Sequence, residues 1–235
     1  MIPEQKSIFE EGQVLLFDKP LYWTSFDLVN KVRNIIKSSL GIYIKVGHAG
    51  TLDPLAGGLM IICTGKATKR ADEFRDLDKE YYATIRLGET TPSYDLETEV
   101  TGNLPVDHIT EDLVRTALDG FIGEHQQVPP VHSAKMIKGK RAYEFARKGI
   151  EKELAPVTVI FREIELLSFE LPEIRTRLLC SKGTYIRSFA RDLGIVLGSG
   201  ACLSALTRTA IGPFRLENSY SIEKFENFIK ELKQN

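Results

Sequence analysis

Residues 47–60 read GHAGTLDPLAGGLM and hold one carboxylate, Asp53, among glycine, alanine, leucine and a single threonine, with His48 five residues upstream. A lone carboxylate in such surroundings has two readings. As an Asx-turn residue ahead of Pro54 it needs no chemistry, because Asp side chains bond to nearby backbone in turns. As a reactive group it gains from poor solvation, which leaves an anion more nucleophilic. It then needs a cation nearby to stay ionised at neutral pH. Periodicity does not name that cation, and both readings stand at this point. Other chemistries fare worse. A phosphate loop needs spaced glycines followed by Lys and Ser or Thr. TGKAT (64–68) has Gly65 and Lys66, but Ala67 replaces the hydroxyl and Met60 stands where the first glycine belongs. There is no HExxH, no histidine pair at ligand spacing and no serine-nucleophile elbow. No metal or cofactor is expected.

The elements that position this loop follow from pattern. GQVLLFDKP (12–20) reads as a buried strand ending at a proline turn. Thr24 or Ser25 then caps a helix whose apolar positions Leu28, Val29, Val32, Ile35 and Ile36 keep helical spacing. Asp53 precedes a proline and is biased toward extended geometry. LMIICTG (59–65) and YYATIRLG (81–88) read as strands. A helix is expected from about Thr110 to Phe121, with Leu113, Val114, Ala117, Leu118 and Phe121 on one face and acids in its first turn. Two prolines hold QQVPPVHSAK extended, RAYEFARKG reads as a short basic helix closed by Gly149, and strands fill 157–181. YIRSFARDLGIVLG is helical with Ile186, Phe189, Ala190, Leu193 and Leu197 inward, and SIEKFENFIKELK is an amphipathic helix capped by Ser221. The whole reads as one mixed α/β domain.

The 235 residues suffice for a substantial core, and 43% hydrophobic with 27% charged residues is ordinary for a soluble protein. The N-terminal stretch has no apolar h-region, and no apolar run is long enough to cross a bilayer. The three cysteines, Cys63, Cys180 and Cys202, form no CxxC pair, so a reducing, cytoplasmic setting is expected. Net charge is −1 but unevenly spread. Nine acids and only Arg115 lie between Glu89 and Glu124, whereas Lys135, Lys138, Lys140, Arg141, Arg147 and Lys148 face only Glu144 between His132 and Lys148. The bland reading of that basic run is a solvated helix face; the alternative is a patch for a polyanion.

GHAGTLDPLAGGLMIICTGKATK resembles the catalytic signature of the TruB family, the tRNA pseudouridine-55 synthases. Further stretches are similar in the same order: LLFDKP followed by TS, DKEYYATIRLGETTPSYD, PPVHSAKMIKGKRAYEFARKG and LLCSKGTYIRSFARDLG. The likeness runs over about residues 12–216. It implies the pseudouridine synthase fold, a largely antiparallel central sheet flanked by helices with the active site in a cleft across it. It implies an isomerase that breaks the N1–C1′ bond of a uridine, turns the base and rejoins it through C5, with no metal or cofactor.

By the same resemblance Asp53 is the essential aspartate, attacking C1′ or taking a sugar proton, and Arg187 pairs with it to keep it ionised. Tyr81 stacks on the target base, Tyr185 and Leu206 line the pocket, and Lys19 with Pro20 shapes its floor. His48 occupies the space that the extruded base leaves. The bases at 135, 138, 140, 141, 147 and 148 hold the T-arm stem-loop of tRNA through phosphates and shape. Residues 1–217 form the catalytic domain. Residues 218–235 read as one short helix, so no full RNA-binding domain of the PUA type is expected, and a monomer acting without a guide RNA is favoured.

The chain departs from the family pattern at Tyr22, where glycine is common, and at His132, where tyrosine is. Neither change touches Asp53, Tyr81 or Arg187; both bear on substrate preference. A different class, a non-catalytic tRNA-binding or RNA-folding factor using the same pocket, is the alternative. An aspartate-dependent hydrolase would need a second carboxylate, which the signature does not offer.

Overall fold

The computed structural model describes residues 8–131, 136–137, 140–141 and 154–234. Of the basic helix expected at RAYEFARKG only Arg141 is described, and it lies in a strand; the rest of that stretch, and His132, lie outside the described residues. The architecture is mixed α/β around a mostly antiparallel sheet, as expected from the sequence. Contacts divide the chain into two compact units, one of Met1–Glu80 with Thr207–Asn235 and the other of Tyr81–Leu206.

In the first unit, β1 (Val14–Lys19) pairs antiparallel with β3 (Ala56–Thr64) in the register Val14↔Cys63 to Lys19↔Gly58. The short β2 (Val46–His48) also lies antiparallel to β3, with His48 opposite Ile62. Every residue of β3 is buried, so it is a central strand covered on both faces. It starts at Ala56 rather than Leu59. The two glycines that look like loop in the sequence are already extended, and Gly58 sits opposite Lys19. Gly58 is obligatory there. Its φ is +100°, and a Cβ would stand 2.3 Å from the carbonyl oxygen of Arg208.

Helix α1 (Ser25–Leu40) follows the sequence closely. Thr24 is the N-cap and completes a capping box with Asp27, whose carboxylate accepts from the Thr24 amide at 2.9 Å. Gly41 ends the helix at φ 69° and donates its amide to Lys37. The apolar stripe Leu28, Val29, Val32, Ile35, Ile36 and Leu40 is buried. Alongside it runs α5 (Ile222–Gln234), tied by a 2.7 Å ion pair between Lys31 and Glu226. Ser221 accepts from the Lys224 amide at 3.2 Å, the cap expected from sequence. Phe225 meets Phe17 of β1 edge to face, ring centres 5.0 Å apart. Between β3 and α5 the chain passes a 3-10 turn (Gly65–Arg70) and the short α2 (Ala71–Arg75), and Phe74 closes a cluster with Ala49, Leu59, Ile61, Cys63 and Ile211.

One residue of this unit stands in strained backbone. Tyr22 has φ 67°, a left-handed value that costs an L residue roughly 1–2 kcal/mol.

The second unit is built on β4, which spans Lys79–Leu87 and so begins before Tyr81, the hairpin of β10 (Val157–Glu170) and β11 (Glu173–Cys180), and β7 (Gly123–Gln127) on the far side of β10. Strand β4 alternates buried and open positions, the mark of a sheet with one face on the core. Two two-stranded ribbons accompany these, β5 (Glu89–Thr90) with β6 (Gly102–Asn103) and β8 (Met136–Ile137) with β9 (Lys140–Arg141). Helix α3 (Glu111–Asp119) is capped by Thr110, as its acidic first turn suggests, but Leu113 is 41% exposed rather than inward. The helix stops at Gly120, which frees Phe121 to join Phe161 and Phe189 in an edge-to-face cluster with centres 5.1 Å (Phe189) and 6.4 Å (Phe161) away. Helix α4 (Ile186–Val196) buries Ile186, Phe189, Ala190 and Leu193, as their spacing predicts. Strand β12 (Ala201–Ile211) begins in this unit and ends in the first, where β13 (Phe214–Arg215) turns back on it. Cys63, Cys180 and Cys202 are buried. No helix among the described residues is long and apolar enough to cross a membrane.

Candidate active site

Asp53 lies half-buried in the loop between β2 and β3, and several backbone groups around it are held by residues distant in sequence. The Ala49 amide donates to the Ile61 carbonyl at 3.0 Å. Ser25, fully buried at the start of α1, accepts from the Leu52 amide at 2.8 Å and donates to the Leu52 carbonyl at 2.9 Å. The Tyr22 amide donates to the Pro54 carbonyl at 2.7 Å, and the Ala56 amide to the Asp53 carbonyl at 3.1 Å.

From β12 the guanidinium of Arg208, 1% exposed, donates to three carbonyls: Leu59 at 2.8 Å, Gly50 at 3.1 Å and Thr51 at 3.4 Å. Buried carbonyls need such donors, and one rigid fork satisfying three of them fixes the loop as a unit. Sequence reading passed over both Ser25, beyond its capping potential, and Arg208. A charged residue among apolar ones in LSALTRTAI was the available signal for the second.

Lys19, at the end of β1, is 1% exposed and donates Nζ to the carbonyls of Pro20 at 2.9 Å and Trp23 at 2.6 Å. Burial pushes its pKa down to about 8, and the Asp53 and Asp18 carboxylates hold it from falling further. Lys19 therefore carries its charge at neutral pH within the field of Asp53. The sequence expectation gave it the pocket floor; its two bonds hold the carbonyls of the turn at 20–23. His48, expected to fill the place of a displaced base, is half-buried at the end of β2.

The remaining expected site residues belong to the second unit. Tyr81 is buried on β4, and Leu206 is buried on β12. Arg187, in the first turn of α4, is 3% exposed. It donates to the Ser93 carbonyl at 3.1 Å and lies 3.5 Å from the carboxylate of Asp95, itself 3% exposed. Asp95 is anchored in turn. Its carbonyl accepts from the hydroxyls of Thr91 and Ser93, and its carboxylate from the Glu97 amide. A buried pair of this kind costs desolvation, which the Glu97 amide at the carboxylate and the Ser93 carbonyl at the guanidinium help to offset. Tyr185 precedes α4, and its amide and carbonyl are bracketed by the side-chain amide of Gln127 at 2.8 and 3.1 Å. Asp95 and Gln127 were not singled out from sequence, although Asp95 closes the TTPSYD stretch. Of the basic candidates, Lys140 and Arg141 lie on β9, whereas Lys135, Lys138, Arg147 and Lys148 lie outside the described residues.

The TruB family pseudouridylate synthase (N terminal domain) model matches residues 33–186. The chain belongs to the TruB family. Its relatives include the tRNA pseudouridine synthase B of Phocaeicola vulgatus, 58% identical over 224 residues and covering 95% of both chains. The protein of the same name from Flavobacterium johnsoniae is 47% identical over 232 residues, 98% of this chain and all of that one. Among solved structures, a Cbf5–Nop10–Gar1 complex contains a chain that matches with a TM-score of 0.74 at 28% identity. That match covers 98% of this chain and 58% of the other, so the TruB chain described here spans just over half of that neighbour.

Proposed function

We propose that this chain isomerises uridine 55 in the T-loop of tRNA to pseudouridine, extruding the base from its stack and using Asp53 as the essential group. The observation that carries the reading is the immobilisation of the Asp53 loop. Ser25, the Tyr22 amide and Arg208 each tether a different backbone group within four residues of the carboxylate. A carboxylate that must meet one atom of a sugar gains from such fixed geometry. The naming of relatives as tRNA pseudouridine synthase B along nearly their whole length supports tRNA as the substrate.

In the reaction the N1–C1′ bond breaks, the uracil turns, and C5 bonds to C1′. C5 gives up its proton and N1 takes one up, so nothing is oxidised or lost. Asp53 either bonds C1′ in passing or removes a sugar proton. Tyr81 stacks on the uracil and receives the C5 proton, and Arg187 supplies fixed positive charge. Tyr185 and Leu206 line the base pocket, and His48 fills the vacated stack. The basic run at 135–148 takes the T-arm phosphates. The substrate is free tRNA, read without a guide RNA by a cytoplasmic monomer.

The test is tritium release from unmodified tRNA carrying 5-³H-uridine, with wild type and Asp53→Ala compared and the modified position mapped. Release by wild type alone, at position 55, is the expected result. A folded wild type that binds the tRNA and releases no tritium overturns the enzymatic reading in favour of a binding or folding factor.

A further inference from the structure

Leu21, Tyr22 and Phe26 are 53%, 79% and 61% exposed, three large apolar side chains within six residues on the turn and first helical turn that precede the rest of α1. Exposure of one such residue is ordinary. Here the exposed tyrosine also occupies backbone at φ 67°, a conformation that favours glycine. The turn is not loosely tolerated. Lys19 Nζ clamps the carbonyls of Pro20 and Trp23 on either side of it, and the Tyr22 amide is bonded to the Pro54 carbonyl at 2.7 Å. The fold thus spends backbone strain to present an aromatic ring to solvent, next to the residue that follows Asp53. Those bonds hold the turn through backbone that a glycine would supply equally, so they do not call for an exposed ring, and strained residues that persist point to a function.

The chemistry of the face selects its occupant. Asp18 and Asp27 stand on either side of it in sequence and are exposed, while the cations Lys19 and Arg208 are buried and committed to backbone carbonyls. Such a face repels phosphate and suits an uncharged π surface. On the proposed reading of Asp53, the chain that reaches this turn is RNA continuous with the target uridine. Unpaired RNA bases are recognised by stacking on aromatic side chains. We propose that Tyr22, with Phe26 four residues on, is a stacking platform for an unpaired base adjacent to the target nucleotide. This rests on the RNA-substrate reading of the site and adds a specificity-bearing residue to it.

The test compares Tyr22→Gly and Tyr22→Phe with wild type, measuring Kd for a T-arm hairpin RNA, KM and kcat by tritium release, and Tm. Glycine removes both ring and strain. Tyr22→Gly should therefore weaken Kd and raise KM roughly tenfold while Tm stays level or rises. Tyr22→Phe should retain wild-type Kd. Unchanged Kd in Tyr22→Gly overturns the platform. Equal losses in both variants assign the effect to the hydroxyl and overturn stacking. A loss that comes with a lower Tm shows a structural role and overturns it too. If wild type binds the hairpin without releasing tritium, the enzymatic reading falls while the Kd comparison still decides the platform. If wild type does not bind RNA, both fall.

Discussion

Arg208 does for the Asp53 loop what no local residue can. Its five donors lie in one plane, and two of the loop's carbonyls, Gly50 and Thr51, depend on it together with that of Leu59 in β3. Arg208→Lys keeps the charge but gathers its three donors on one nitrogen, without the planar spread that reaches all three carbonyls, leaving carbonyls unsatisfied at about 1–3 kcal/mol each when buried. We expect kcat to fall tenfold or more, with a smaller change in KM and a lower Tm. An unchanged kcat at reduced Tm would confine Arg208 to stability. Lys19 makes a second prediction at this scale. Its pKa is about 8 in the fold, against 10.5 as the ordinary value. Between those values the unfolded chain holds a proton that the folded chain has released, so raising the pH through this window favours the folded state. Below about 8 both states are protonated and the slope vanishes. The Tm of wild type should gain on that of Lys19→Met from pH 8 to 10; a constant gap refutes the assignment.

At the scale of elements, β3 is possible only because its entry is glycine. A Cβ at Gly58 would meet the Arg208 carbonyl oxygen at 2.3 Å and its amide nitrogen at 2.7 Å, both backbone atoms that cannot rotate away. The same close approach brings Arg208 level with the Asp53 loop. Gly58→Ala should destabilise by at least about 2 kcal/mol, through strain at positive φ and separation of the two strands. Gly41 provides the contrast. It ends α1 at φ 69° but a Cβ there meets nothing within 4 Å, so Gly41→Ala should cost only about 1 kcal/mol. Urea midpoints for the two variants, at constant m, measure the difference. Equal losses would mean that φ alone, and not the strand approach, governs Gly58.

For the whole molecule, a net charge of −1 gives no general attraction for RNA. On the proposed function, affinity must come from local cations and from stacking, not from the field of the chain as a whole. Lys140 and Arg141 sit together on β9 within the most basic stretch of the sequence. Replacing both with alanine should weaken tRNA binding and reduce the slope of log K against log salt by about 1.5, since each phosphate contact contributes roughly 0.7–0.9. A binding curve with the same slope as wild type would place the phosphate contacts elsewhere.

What the sequence determined by itself is largely local. The cap at Thr24, the apolar stripes of α1 and α4, the fully apolar run of β3 and the Ser221 cap are all pairs or periods within a few residues, and each is present. Asp53, Tyr81 and Arg187 were legible as candidates through motif order, and the family follows from the same stretches. The tertiary structure alone decided the rest. Ser25 grips Leu52 from 27 residues away, and Arg208 grips Leu59 from 149. Arg187 meets the Ser93 carbonyl across 94. These contacts run from side chains to backbone carbonyls. Every residue owns a carbonyl, so such a bond leaves no mark on the residue type that accepts it. The strained turn at Tyr22 is hidden for a related reason: a φ of 67° belongs to the turn that Lys19 and Pro54 impose, not to tyrosine.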